Sequence, residues 1–467
     1  MGQLLAILGD HRDSDEGAWM RTHLIKGPRH HLPGLVLAVL CSLSLSSVAQ
    51  EENSDPTESD PTATATPETT ADNPADAVVI DMRNSLDERP SPEPVAESSL
   101  VLEYQAAIEA QERLGGAYSP GMTEQLLGLG TALQQLNRHE EAIDVLKRGA
   151  HIARINNGLY SGEQLALLRS EIRSHMAMGQ FDQVDERQRY LYRVERRSLA
   201  NRSDSAEALM RQAQWQQQAF LMRVGDPETQ MGRLMVTWDL YRLALTEMIE
   251  IHGNSAPQLR RPLMGMLTSQ YLFAGHRGYP YYKASKDSDA QLAGLTSTAY
   301  KRGVAVLNAL LELDTANEVS LEQQAQDTVA LGDWAMWFGK FSEAEIHYAT
   351  AMGLIEGGEQ PELMARFFAQ PVPLPAIESL DPLPPYMNSD QGPLAVSFSV
   401  TETGRVKEFE ELLSPELEDD KAVRRLIRTL KDTRFRPGFD GSQPVASEGL
   451  IWSFSATAWD PETVLLD

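Results

Sequence analysis

Cysteine is nearly absent from this chain, which has one, Cys41, among 467 residues. This excludes a disulfide framework and a cysteine-rich zinc site. The ten histidines never form the His-Glu-x-x-His pattern of zinc proteases, and there is no Gly-x-Ser-x-Gly elbow and no Gly-rich phosphate loop after a strand pattern. The sequence therefore predicts no catalytic residue, no metal site, no cofactor, no small-molecule substrate and no enzyme activity.

Positive charge is also scarce, since 41 Lys and Arg face 67 Asp and Glu for a formal net charge of −26. Nucleic-acid phosphates need a positive surface, so nucleic acid is excluded as a partner. Much of the acidic excess lies in residues 50–99, which are also rich in Pro and Thr. Such a segment has too little apolar surface to offset the entropy cost of folding. We expect a disordered linker there.

Long apolar runs are rare too, and the clearest covers residues 32–49. Basic and His residues precede it and small residues close it, which is typical of a signal peptide at 1–49, with Met20 as a plausible true start. Cleavage between Ala49 and Gln50 would place the protein in the periplasm. The alternative is an uncleaved inner-membrane anchor facing the periplasm, because the run approaches the length of about 17–25 residues that spanning needs.

Residues 100–369 show helical periodicity and an internal repeat. The tetrapeptide GAYS at 116–119 recurs 42 residues later as GLYS, and the turn LNRHEEA recurs at the same spacing as MGQFDQV. A third turn of this form, FGKFSEA, ends at Ala344. In each turn Gly or Asn ends one helix, which predicts stacked helix hairpins, because one hairpin cannot bury its apolar face alone. Between them, residues 202–313 have degenerate junctions and a predicted loop at 276–289.

These positions resemble tetratricopeptide repeats. The clearest copy has Leu331, Gly332, Gly339, Phe341, Ala344, Tyr348 and Ala351 at family spacing. The first copy has Leu129, Gly130, Asn137, His139, Ala142, Leu146 and Gly149, and the second has Ile172, Gly179, Phe181 and Val184. The resemblance implies an α-solenoid of the tetratricopeptide type over 100–369.

Arg169 and Arg173 stand four residues apart in the second copy, at positions that face the groove in this family. An arginine pair can bind a carboxylate or an acidic peptide through paired hydrogen bonds. The alternative interpretation is a solvated helix face without function. The two arginines are the candidate binding residues of the helical region.

A Pro-rich joint at residues 370–388 predicts a domain boundary, since it favours neither helix nor central strand. Beyond it, residues 389–467 show alternating apolar residues, the turn TETG, a helical pattern and a last alternating run. The apolar positions are Leu394, Val396, Phe398 and Val400, then Val423, Leu426, Ile427 and Leu430, then Leu450, Trp452 and Phe454. The order strand, strand, helix, strand predicts a small α+β domain with a helix on one sheet face.

The stretch between that helix and the last strand resembles the carboxyl-terminal domain of the TonB family. Matching residues are Phe435, Arg436, Pro437, Gly441, Pro444 and Val445. We expect Phe435 to fill the small core, with Arg434 and Arg436 beside it. The resemblance implies that a receptor strand adds to the sheet edge at the last strand. The candidate edge residues are Val445, Ser447, Leu450, Trp452 and Phe454; alternatively, this strand is covered within its own fold.

The sequence thus predicts a mainly α chain, a tetratricopeptide-like solenoid followed by a small TonB-type α+β domain. The resemblances imply an exported periplasmic adaptor for protein or peptide partners in a TonB-type outer-membrane transport system. Those partners would be TonB-dependent receptors or motor components. The alternative is a cell-envelope assembly scaffold without a role in TonB energy transduction, because the apolar run lacks the ionisable residue that marks a proton path.

Overall fold

A computed structural model describes residues 94–198, 202–226, 229–275, 286–377, 380–390, 394–413 and 421–454. All of these belong to one compact unit. The predicted signal peptide, its cleavage site at Ala49 and Gln50, and most of the predicted linker lie outside the described residues. Across the part of the chain that the structure describes, no helix combines the length and the apolar character that crossing a membrane needs.

The helical region is a succession of helices, each packed against the next along the chain. Its described helices are α1 (Pro94–Gly115), α2 (Met122–Gln135), α3 (His139–Asn157), α4 (Gln164–Ala177), α5 (Phe181–Ser198), α6 (Arg202–Leu221), α7 (Gln230–His252), α8 (Arg260–Gly275), α9 (Lys286–Ala316), α10 (Leu321–Trp337), α11 (Phe341–Gly357) and α12 (Pro361–Phe368), with a short 3-10 helix at Pro257–Leu259 before α8. The predicted mainly helical class is confirmed for the described residues.

Two boundaries differ from the sequence-based expectation. Helix α1 begins at Pro94, so it includes the last six residues of the predicted linker. Proline suits the first turn of a helix, because the N–H groups there have no hydrogen-bond partner within the helix. Helix α9 begins at Lys286, so the end of the predicted loop at 276–289 is helical, and residues 276–285 lie outside the described part of the chain. The helical pattern extends further than the polar composition suggested.

The turns inside the hairpins share one backbone conformation. Asn137, Gly179 and Gly339 have φ of 56°, 67° and 71°, and the next N–H donates to the carbonyl five residues earlier at 2.9 Å. This is the Schellman end of a helix, and it confirms the predicted role of Gly or Asn at these turns. Arg223 at the end of α6 does the same, with φ of 58° and a 2.8 Å bond from the Val224 N–H to the Ala219 carbonyl. The sequence missed this junction because arginine rarely adopts positive φ.

In two hairpins the helices cross closely at a glycine of the first helix. A Cβ added at Gly130 would lie 2.6 Å from the Leu146 side chain, and one added at Gly332 would lie 2.3 Å from the Tyr348 ring. Leu146 and Tyr348 are fully buried. Glycine therefore lets the two helices of a hairpin approach until a large residue of the second fills the space.

The carboxyl-terminal region (372–454) contains a four-stranded antiparallel sheet of order β2-β8-β3-β4. Its elements are β1 (Val372–Leu374), β2 (Tyr386–Met387), β3 (Leu394–Val400), β4 (Val406–Leu413), α13 (Lys421–Asp432), β5 (Arg434–Arg436), β6 (Gly438–Asp440), β7 (Gln443–Val445) and β8 (Ser447–Phe454). The predicted strand, strand, helix, strand order is confirmed, with three short strands inserted after the helix.

Helix α13 covers one face of this sheet. Its four predicted apolar residues, from Val423 to Leu430, are buried against Phe398, Phe435 and Trp452. Phe435 is fully buried, which confirms its predicted place in the core. The predicted TETG turn ends at Gly404, with φ of 69°, where an added Cβ would lie 1.9 Å from the Phe435 carbonyl oxygen. Glycine is required at this point by both the backbone conformation and the contact with β5.

The Pro-rich joint packs as part of the fold. Strand β1 pairs antiparallel with β5, and Leu374 is fully buried among side chains of α10 to α12. Pro373 lies in this two-stranded ribbon, where its missing N–H is tolerated. Strand β2 pairs with the end of β8. The joint therefore packs against the helical region through Leu374 and pairs with β5 and β8 of the carboxyl-terminal region.

Candidate interaction sites

The structure brings Arg169 together with an arginine that sequence reasoning missed. Arg169 on α4 donates to Glu195 Oε1 of α5 at 2.8 Å, and Arg211 on α6 donates to the same oxygen at 2.9 Å. The Glu195 side chain is 2% exposed, whereas those of Arg169 and Arg211 are 45% and 36% exposed. One buried carboxylate thus holds two exposed guanidinium groups side by side.

Arg173, the other predicted residue, lies one turn after Arg169 on α4 and is exposed. Its Nη2 donates to the Ser170 hydroxyl at 3.2 Å. We call Arg169, Arg173, Arg211 and Glu195 the arginine cluster. Three guanidinium groups against one carboxylate leave it positive in a protein with a formal net charge of −26. Since each guanidinium has five N–H donors, the cluster retains donors for an incoming carboxylate.

Polar contacts between helices support the backbone beneath the arginine cluster. Gln134 of α2 donates to the Ser170 carbonyl and to the Ser174 hydroxyl, each at 2.6 Å, and accepts from the Ser170 hydroxyl. Further along, Asp185 of α5 accepts two bonds from Arg233 of α7. Burial would raise the pKa of Asp185, but the Arg233 guanidinium holds that pKa below its usual range. These contacts hold the helices that carry the arginines in place relative to their neighbours.

The predicted edge residues divide between two strands. Val445 lies in β7, whereas Ser447, Leu450, Trp452 and Phe454 lie in β8. Trp452 and Phe454 are buried in the small core, and Leu450 packs against it. Their side chains therefore belong to the inner face of the sheet. Along the edge itself, a partner strand would meet backbone groups and outward-facing side chains such as Ile451, which is 38% exposed.

The outer edge of β8 is covered at one end. Strand β2 pairs with Phe454 and Ser453, and the Tyr386 ring stacks on Trp452 at a centroid distance of 3.7 Å. From Ser447 to Trp452, the described strands pair with β8 on the β3 side alone. Among the described residues, β2 therefore covers the last two residues of this edge.

Arg436 makes a contact that the sequence did not predict. Its Nη1 lies 3.3 Å and 3.2 Å from the two carboxylate oxygens of Asp333 on α10, 103 residues earlier in the chain. Both side chains are buried, at 5% and 6% exposure. Arg434 and Arg436 flank Phe435 in β5, and the sequence predicted no partner for Arg436 in the helical region. Alternation along β5 sends Phe435 into the small core and Arg436 to the opposite side, against the helical region.

Asp333 is held from a second direction by Tyr348, whose hydroxyl donates to Asp333 Oδ1 at 2.9 Å. Burial raises the pKa of Asp333, while Arg436 and the Tyr348 hydroxyl act to lower it. Burial and the Asp333 charge raise the pKa of Tyr348. Within the described residues, no three His, Cys, Asp or Glu side chains come together in a way that could bind a metal ion.

Comparison with known proteins identifies no family for this chain. No family model matches the chain. No curated protein matches it. Among solved structures, "Crystal structure of BtubC (BKLC) from P. vanneervenii" is similar over 57% of this chain and 93% of that one, with 13% identity and a TM-score of 0.33.

Proposed function

We propose that this chain is an exported adaptor for protein–protein interaction in the periplasm, working with a TonB-type outer-membrane transport system. The observation that carries the proposal is the arginine cluster, in which buried Glu195 holds Arg169 and Arg211 exposed next to each other. The resemblances to tetratricopeptide repeats and to the TonB carboxyl-terminal domain support the same function. It requires no catalysis, cofactor or small-molecule substrate.

The arginine cluster suits an acidic segment of a partner protein. Restraining a guanidinium before binding lowers the entropy cost of ordering it, and a planar guanidinium matches a carboxylate with two parallel bonds. Arg173 adds a third positive group one helical turn away on the same helix. A partner with two or more acidic side chains would therefore be preferred over one with a single charge.

Affinity capture tests this function. Tagged protein covering residues 50–467 is incubated with envelope extract, and captured proteins are identified by mass spectrometry. We expect TonB-dependent receptors or motor components, and a loss of more than about tenfold in capture for R169Q/R173Q, since each of the two lost charge-assisted bonds costs about 1–3 kcal/mol. The matched control is R261Q, because Arg261 forms an exposed ion pair with Glu207 elsewhere. Recovery of neither class of protein would contradict the proposal.

The second candidate function is an envelope assembly scaffold without TonB-type strand addition, and the pairing of β2 over the end of β8 favours it. The variant I451K places a charge on the exposed part of the β8 edge, and L412K does the same on β4 at the opposite edge. Under the adaptor function, receptor capture falls with I451K and persists with L412K. Under the scaffold function, capture of partners is the same for both variants and still depends on Arg169 and Arg173.

A further inference from the structure

The position that Arg173 occupies in the second hairpin is occupied by Asp333 in the last one. Arg173 lies six residues before Gly179, and Asp333 lies six residues before Gly339. Gly179 and Gly339 are the left-handed glycines that follow the first helix of each hairpin. The two residues are thus equivalent within the repeat. Arg173 is exposed, whereas Asp333 is buried beneath a guanidinium from the carboxyl-terminal region.

The surroundings of the Arg436 guanidinium resemble those of a bound ligand. Asp333 of α10 supplies the opposite charge, and Tyr348 of α11 orients that carboxylate through its hydroxyl. The Phe368 ring of α12 lies 6.0 Å from the Arg436 guanidinium carbon, within the range of a cation–π contact. Three helices of the helical region therefore contribute one group each, and the guanidinium enters from a strand outside that region.

A buried ion pair loses much of its attraction to desolvation, and in some proteins its benefit is to fix one arrangement among several. The Arg436 Nε is buried and has no hydrogen-bond partner in the described part of the structure, whereas Nη1 donates to Asp333 and the Phe368 ring lies against the guanidinium. A close-packed apolar contact would hold the two regions together without this cost. The charge pair adds the requirement for a guanidinium.

We propose that the last hairpin contains a guanidinium-binding site, formed by Asp333, Tyr348 and Phe368, which Arg436 occupies as an intramolecular ligand. Arg436 therefore covers the Asp333 position of the last hairpin, whereas the equivalent position in the second hairpin, Arg173, remains exposed to solvent. Recognition of one arginine then sets the docking of β5, and with it the ribbon of β1 and β5. This inference stands on the Asp333 geometry and does not depend on the adaptor function.

Chemical rescue tests the site. In R436A, the removed side chain leaves a space beside Asp333 that methylguanidinium fits, and methylammonium serves as a probe of equal charge and different shape. We expect R436A to melt about 5 °C or more below R428A, a matched exposed arginine variant. Millimolar methylguanidinium should recover part of that shift, whereas methylammonium should not. The double variant D333N/R436A should show no recovery, because the opposite charge is gone.

Equal melting of R436A and R428A would overturn the proposal, as would equal rescue by both cations. If R436A does not fold, D333N keeps the shape of the side chain and allows a second measurement on the full chain. In the unaltered protein, the Arg436 Nη1–H groups that donate to Asp333 should exchange slowly with solvent and give a distinct nuclear magnetic resonance signal. D333N should lose that signal, whereas R173Q should retain it. Persistence of the signal in D333N would also overturn the site.

Discussion

The second and last hairpins present opposite charges at one repeat position, and only one of them is covered. Arg173 faces solvent beside two further arginines, whereas Asp333 lies beneath Arg436 and accepts a bond from Tyr348. The repeat determines the direction in which this position points. Whether the residue there contacts a partner or the protein's own interior depends on β5, which comes roughly a hundred residues after α10. Equivalent positions of two hairpins can therefore have different surroundings.

The largest expected difference is between D333N and R173Q. D333N leaves the Arg436 guanidinium buried without an opposite charge, which we expect to lower the free energy of unfolding by about 3 kcal/mol. R173Q changes an exposed side chain and should alter it by less than about 0.5 kcal/mol. Chemical denaturation of both variants measures the difference. Similar effects would show that the two positions are not distinguished by burial.

A second comparison concerns pH and two buried aspartates of the helical region. Burial, with help from Asp327, raises the pKa of Asp314 to about 7, although Arg260 bridges both carboxylates and acts to lower it. The folded protein therefore keeps a proton between about pH 4 and pH 7 that the unfolded chain has released. This contribution to stability is present at low pH and is lost as pH rises through 7. The lowered pKa of Asp185 has the opposite effect, since its contribution is lost as pH falls.

Melting temperatures measured between pH 5 and pH 8 separate these two effects. The free energy of unfolding of the unaltered protein should fall by about 1–3 kcal/mol between pH 5 and pH 8, and we expect this fall to be absent in D314N. D144N, at an exposed position, should leave that fall in place. A D314N profile parallel to that of the unaltered protein would contradict the assignment.

The smallest expected effect compares two helix ends. Arg223 and Gly179 both have positive φ at the Schellman position. Because glycine adopts that conformation without strain, R223G should raise the free energy of unfolding by up to about 1 kcal/mol, and G179A should lower it by about 1 kcal/mol. Thermal melting of the two variants tests the signs. Destabilisation by R223G would mean that the arginine side chain has a role beyond the turn.

Local patterns in the sequence predicted several features of the fold. Asn137, Gly179 and Gly339 marked their turns because few other residues adopt positive φ readily. The apolar spacing of α13 predicted which face it buries, and alternation predicted the inner face of β3. Strands β5, β6 and β7 were missed because each has three residues, which is too short for alternation to appear. The junction at Arg223 was missed because its backbone departs from the usual preference of arginine.

The candidate sites were predicted less completely. Sequence spacing identified Arg169 and Arg173, but Arg211 and Glu195 lie on other helices and carry no local signature. The position of the last strand was predicted as well, whereas its partial cover by β2 was not, since two paired residues leave no pattern. Sequence spacing can predict a side-chain pair when both residues lie within a few positions of each other in the chain. The partners of these side chains are farther away in the sequence.

By itself the sequence determined the helical hairpins, the turns that end them and the small α+β order at the carboxyl end. These depend on spacings of a few residues, which backbone geometry converts directly into helix, turn or strand. Only the tertiary structure decided that Glu195 pairs with two arginines and that Arg436 pairs with Asp333. Such pairs join residues far apart in the chain, and their formation depends on which surfaces pack together and exclude water.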